Sequence, residues 1–164
     1  MSTRQAITVT VNGESHQRLV EPRLSLVDFL RQDLQLTGSH VGCEMGACGA
    51  CLVLVDDQPV HACLMFAVQA EGARIETVEG LAARDALADL KAAFRDRNAL
   101  QCGYCTPGML ATAHAILARG GVPSREEIRD ALSGNYCRCT GYEAIVDAIA
   151  ATAAARAAAG EADR

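Results

Sequence analysis

Eight cysteines in 164 residues are the part of this sequence that could do chemistry, and they stand in two groups of four. The first group is Cys43, Cys48, Cys51 and Cys63, a C-x4-C-x2-C run with a fourth cysteine after eleven intervening residues. The second is Cys102 and Cys105, followed after 31 residues by Cys137 and Cys139. Four thiolates are the ligand set of a tetrahedral zinc ion or of an iron–sulfur cluster. The first spacing is that of the plant-type [2Fe–2S] ferredoxins, whereas structural zinc favours short C-x2-C-like pairs. The second group, a C-x2-C and a C-x-C, also suits zinc when read alone; a second cluster there is argued from the presence of the first. Disulfides fit poorly, because the opening Met-Ser-Thr-Arg-Gln-Ala carries no export signal and a reducing cytosol keeps thiols unpaired. Eight inert buried thiols would show scattered spacing, and these do not.

The first three thiols lie in a loop with glycines at 38, 42, 46 and 49. Such a loop admits φ > 0 and brings backbone N–H groups close to an anion. A four-thiolate [2Fe–2S] centre is anionic, so those amides stabilise it and raise its potential. Merely flexible glycines would not explain why thiols are set among them. Ahead of the loop, Ile7, Val9 and Val11 alternate within 5–11, and Asn12-Gly13 supplies the turn of a hairpin. The return strand is expected at 17–21. Ser25, three residues before Asp28, caps a helix with the stripe Leu26, Val27, Leu30 and Leu34. Strands are expected at 51–55, from Val60 after a turn over 56–59, and at 74–78. His61 is read as a strand residue rather than a ligand.

From Gly80 the chain turns alanine-rich and helical, with helices expected at about 85–100, 107–119, 124–132 and 142–159. Ser124 and Glu127 form a capping box. Met109, Leu110, Ala113, Ile116 and Leu117 give the second of these helices an apolar, core-facing side. Cys102 and Cys105 precede Pro107, which suits a first helical turn. Two cysteines at i and i+2 splay by about 200° on a helix, so Cys137 and Cys139 must lie in a loop. Two helix N-termini then converge on one anionic centre, and the cluster clamps the helices together. The tail after Gly160 is read as polar and frayed. The fold class is α+β, with a sheet-and-helix domain at 1–80 and a helical domain at 81–164.

A net charge of −5 offers no basic footprint for nucleic acid. No apolar run approaches the roughly 18 residues that cross a bilayer, and a cytoplasmic location is expected. There is no dinucleotide fingerprint, P-loop or nucleophile–base set, so no catalytic residue is assigned. The acids of 76–79 and 126–130 are read as solvated faces. The chain holds wires without a reaction centre.

Three segments carry a resemblance over about residues 5–155: Gly42-Cys-Glu-Met-Gly-Ala-Cys-Gly-Ala-Cys51, Gln101-Cys-Gly-Tyr-Cys-Thr-Pro-Gly108 and Asn135-Tyr-Cys-Arg-Cys-Thr-Gly-Tyr142. They resemble the iron–sulfur small subunit of the xanthine oxidase (molybdenum hydroxylase) family. That group includes the small subunits of aerobic carbon monoxide dehydrogenase, 4-hydroxybenzoyl-CoA reductase and the N-heterocycle and nicotine dehydrogenases. The resemblance implies an N-terminal β-grasp, ferredoxin-like domain and a C-terminal four-helix domain, each with one [2Fe–2S] cluster. It implies an electron path from a molybdenum–pterin cofactor on a large subunit to FAD on a medium subunit. The cluster of Cys102, Cys105, Cys137 and Cys139 then lies on the molybdenum side, and that of Cys43, Cys48, Cys51 and Cys63 on the flavin side. It further implies that Gln101 and Cys139 touch the pterin, and that the assembly is a dimer of heterotrimers. Two other readings are a free two-cluster ferredoxin-like carrier and a zinc-bound interaction module. The substrate belongs to the large subunit and is not legible in this chain.

Overall fold

Alternating apolar side chains place one face of a strand in a core, and β1 (Gln5–Val11) buries Ile7, Val9 and Val11 as its pattern requires. The computed structural model describes residues 4–162. Residues 1–3, part of the opening read for an export signal, and 163–164, the end of the tail read as frayed, lie outside the described residues. Asn12 (φ 51°) and Gly13 (φ 88°) fill the left-handed positions of the turn. β2 (Glu14–Val20) returns antiparallel, with Glu14 opposite Val11. It begins before the expected Gln17 because a two-residue turn lets pairing resume at once.

The Ser25 hydroxyl accepts from the Asp28 N–H at 3.1 Å and starts α1 (Leu26–Asp28). The helix then widens into a π-helical turn over Phe29–Asp33, closed by the Leu34 N–H on the Phe29 carbonyl at 3.2 Å. The wider turn rotates the stripe: Phe29 joins Leu26, Val27 and Leu30 in the core, while Leu34 is only half-buried. β3 (Leu52–Val55), β4 (Gln58–His61) and β5 (Arg74–Glu76) complete a sheet of order β2-β1-β5-β3-β4. The β1–β5 pair is parallel and the others are antiparallel. β4 starts at Gln58, not Val60, because Asp56 (φ 46°) and Asp57 (φ 66°) make the turn by themselves. Pro59 is tolerated within β4, which is an edge strand whose missing N–H deprives no neighbour.

β5 ends at Glu76, short of the expected Val78, and a helix absent from the sequence reading, α2 (Val78–Ala83), follows directly. The four expected helices are α3 (Ala88–Asp96), α4 (Thr106–Ala118), α5 (Arg125–Ala131) and α6 (Glu143–Ala162). α3 is shorter than the expected 85–100, bracketed by left-handed Asp85 and Asn98. α6 is longer and runs through Gly160, where a frayed tail was expected. One core joins the sheet to α1; a second joins α2–α6 and takes in Leu54 from β3. Val53 and Leu54, both buried, face opposite ways, so β3 is covered by α1's side and by α4's. The result is an α+β pair of units on one sheet. None of the described helices is long and apolar enough to cross a membrane.

The capping box at α5 forms reciprocally: the Glu127 N–H donates to Ser124 Oγ at 3.2 Å, and the Ser124 N–H donates to Glu127 Oε2 at 2.7 Å. Ser124→Ala removes half of it. The expected cost is about 1 kcal/mol, seen as a lower thermal midpoint with unchanged cluster absorbance.

Candidate iron–sulfur centres

Local backbone geometry brings together the segments that carry the first group of thiols. The N-terminus of α1 fixes the segment carrying Cys63: the Val27 N–H bonds the Ala62 carbonyl at 3.0 Å and the Leu26 N–H bonds the Met65 carbonyl at 2.7 Å. Arg31 fixes the entry to the cysteine loop, donating to the carbonyls of Thr37 at 2.7 Å and Ser39 at 2.8 Å. Within the loop, the N–H groups of Ala47 and Cys48 each point at Cys43 Sγ at 3.3 Å. A side chain at position 42 would put its Cβ 3.0 Å from Cys48 Sγ, so glycine leaves that space to the sulfur.

The second group is held by the starts of two helices. Cys105 is the N-cap of α4, with Pro107 in the first turn. Cys137 and Cys139 lie in the loop ahead of α6, as their spacing requires. Cys137 Sγ accepts from the Thr140 hydroxyl at 3.1 Å and the Thr140 N–H at 3.4 Å, and the Cys137 N–H donates to the Tyr142 hydroxyl at 2.9 Å. Cys102 Sγ lies 3.6 Å from Cys139 Sγ. Gln101 Nε2 donates to the Cys139 carbonyl at 3.1 Å, which brings together the two residues expected at the pterin.

All eight cysteines are free. Hydrogen bonds from the backbone of Met45, and also of Cys48 and Ala47, bring the Cys43 thiol down to about 7. Burial pushes Cys51 up to about 12, and burial with Cys137 alongside does the same for Cys105. Burial also works upward on Cys137, but the Thr140 hydroxyl and amide outweigh it and hold the thiol below its ordinary value. Each group thus joins a thiol whose ionised form is favoured by hydrogen-bond donors to a buried thiol that ionises only beside positive charge. Ferric iron supplies that charge. Cys51 lies against Cys63, Cys105 against Cys137, and Cys102 against Cys139. The residues fit a [2Fe–2S] group at both places.

The two places are joined across a seam that sequence reasoning missed. The Tyr136 N–H donates to the Cys48 carbonyl at 2.8 Å. His40 Nδ1 lies 2.8 Å from the Tyr104 carbonyl, so that nitrogen carries the proton, and its ring stacks on Tyr104 with centroids 4.6 Å apart. The Tyr104 hydroxyl donates to the Val41 carbonyl at 2.7 Å. Glu79, read as a solvated acid, is half-buried and accepts from the Gly38 N–H at 2.6 Å, tying α2 to the loop. Tyr104 and Tyr136 lie inside the cysteine motifs, the one signal that could have marked them. His61 is a β4 residue, as expected, and Met109 is fully buried core.

A ferredoxin-type sheet with its thiol loop, beside a helical unit with its own thiol loop, defines a two-cluster electron-transfer protein. Profile comparison agrees for each half: residues 9–82 match a "2Fe-2S iron-sulfur cluster binding domain" and residues 77–150 a "[2Fe-2S] binding domain". The chain belongs to the two-[2Fe–2S] electron-transfer small subunits of the molybdenum hydroxylases, the xanthine dehydrogenase family. It is 51% identical over 146 residues to the caffeine dehydrogenase subunit gamma of Pseudomonas sp. (strain CBB1), covering 87% of each chain. It is 48% identical to the nicotine 6-hydroxylase small subunit of Paenarthrobacter nicotinovorans over 90% of this chain and 89% of that one. Among solved structures, a chain of quinoline 2-oxidoreductase from Pseudomonas putida 86 superposes with TM-score 0.89 at 53% identity, over 97% of this chain and 98% of that one.

Proposed function

We propose that this chain carries electrons from a molybdenum–pterin centre on a large subunit to FAD on a medium subunit. Cys102, Cys105, Cys137 and Cys139 hold the cluster on the molybdenum side, and Cys43, Cys48, Cys51 and Cys63 the cluster on the flavin side. Residues 1–80 and 81–164 are the two cluster-bearing units. The observation that carries this reading is the seam: the Tyr136–Cys48 hydrogen bond brings the two thiol loops together, as passing an electron from one cluster to the other requires.

Those outer sides support the reading. Around the second loop, Cys102, Cys139 and Gln101 are exposed, next to Tyr104 and Tyr136. Gln101 and Cys139, linked by their hydrogen bond, are the edge we assign to the pterin. Around the first loop, Met45 is 72% exposed and Leu64 and Phe66 lie open beside it. Apolar side chains clustered at a functional loop suit a lasting interface better than the transient docking of a free carrier. The protein's own contribution is to hold the thiolates, aim N–H groups at them and exclude water; the chain has no substrate site. A dimer of heterotrimers in the cytoplasm is the assembly we assign.

Co-expression with the molybdenum- and flavin-binding chains tests this. The expected result is one complex that elutes with iron, molybdenum and FAD together. A chain that retains its iron yet elutes alone and monomeric would be a free carrier and would overturn the proposal.

A further inference from the structure

Asn135 is 3% exposed, and its amide nitrogen has no hydrogen-bond partner among the described residues. An amide N–H that is buried and unpaired costs on the order of 1–3 kcal/mol, so a native protein keeps one only where something accepts it. The other end of the amide is fixed: Oδ1 accepts from the Thr112 hydroxyl on α4 at 2.9 Å. That bond turns Nδ2 away from the helix and onto the turn between Cys48 and Cys51. A Cβ built on Gly49 would lie 2.8 Å from Nδ2 and 2.4 Å from the Gly134 carbonyl, so the Gly134–Asn135 segment lies directly on this turn. The neighbouring Tyr136 N–H takes the Cys48 carbonyl at 2.8 Å and holds the segment there. Rotating the amide by half a turn would turn its oxygen toward the loop that carries Cys48 and Cys51, which electrostatics opposes where those thiols ligate as anions.

We infer that Asn135 donates its Nδ2–H to a sulfur of the cluster held by Cys43, Cys48, Cys51 and Cys63, so that the helical domain sets the potential of the cluster bound by the other domain. This rests on the ligand assignment proposed above. Hydrogen bonds to sulfur stabilise the more negative, reduced cluster and raise its potential. The arrangement runs against sequence order. Asn135 stands next to the Cys137 motif, yet it acts on the cluster of the distant loop. Gly49 makes this reach feasible, because a side chain at position 49 would occupy the space the amide crosses.

The test is an EPR-monitored redox titration of the assembled complex carrying Asn135→Leu, with each signal assigned beforehand by cysteine variants. The expected result is a shift of the first cluster's one-electron equilibrium by about tenfold toward the oxidised form, about 59 mV, with the second cluster unmoved. A shift of the second cluster alone, equal shifts of both, or no shift would overturn the inference; the last is also the outcome if a buried water takes the proton. If Asn135→Leu does not assemble, electron–nuclear double resonance on the unaltered complex in D2O decides. A slowly exchanging proton coupled to the first cluster and to 15N-labelled asparagine supports the assignment, and its absence rejects it. Failure of the ligand assignment itself reads differently, as cysteine variants that do not separate the two signals.

Discussion

Cys105→Ala is expected to abolish one of the two EPR signals of the reduced protein, halve the iron and leave the other signal intact. Cys105 caps α4 and faces Cys137, which leads into α6, so the proposed cluster would bridge two segments with 31 residues between them. Loss of a metal group that binds only the folded state removes folding free energy outright. The expected loss is on the order of 5 kcal/mol, a fall of roughly 10–20 °C in thermal midpoint for a chain of this size. Cys43 and its loop are anchored separately by Arg31 and α1, which is why the first signal survives. Iron analysis and a melting curve on the same preparation check both parts.

Gly108→Ala is expected to destabilise the protein by about 3 kcal/mol, although the change usually favours a helix. Replacing glycine by alanine in a helix gains about 1 kcal/mol. Here the added Cβ would stand 2.0 Å from the Gly49 carbonyl oxygen and 3.0 Å from its carbon. Both are backbone atoms of the first cysteine loop, so no rotamer change relieves the contact. α4 must back away from the loop, and overpacking of this kind outweighs the helical gain. Gly134→Ala is the internal comparison. It lies on the same seam, but its Cβ would meet only His61 Nε2 at 3.9 Å, so a change within about 0.5 kcal/mol is expected. Parallel denaturant titrations of the two variants, with the Cys48-loop cluster followed by absorbance, measure the difference.

Local features of the fold were legible because their signals are local. The alternation of Ile7, Val9 and Val11, the Asn12-Gly13 turn and the Ser124 capping box each act within a few residues, and each is where the sequence places it. Cysteine spacing carries the ligand expectation in a similar way, because ligands to one metal group must return to one point whatever lies between. α2 escaped notice because Val78–Ala83 is only six residues long, with Gly80 inside it, and owes its stability to Leu81 in the helical core. The π-helical turn is a tertiary outcome too, since burying Phe29 beside Leu30 cannot be told from an ordinary stripe in sequence. Asp56-Asp57 lacks the glycine that marks a tight turn, so Pro59 drew the expected turn too far along the chain.

The seam was the least legible part. His40, Tyr104 and Glu79 are ordinary polar residues at separations of 41 to 64 positions from the groups they meet, and Asn135 meets Thr112 across 23 positions while its amide nitrogen has no partner among the described residues. Nothing in their local sequence announces a partner. Only the meeting of two domains gives each of them a role.

The central claim is that each group of four thiols holds one [2Fe–2S] cluster. Low-temperature EPR of the dithionite-reduced protein, integrated against its iron content, tests it most directly. Two distinct S = ½ signals of equal intensity are expected, one lost in a Cys51→Ala variant and the other in Cys105→Ala. A single signal, or a colourless protein that contains zinc and no iron, would contradict it.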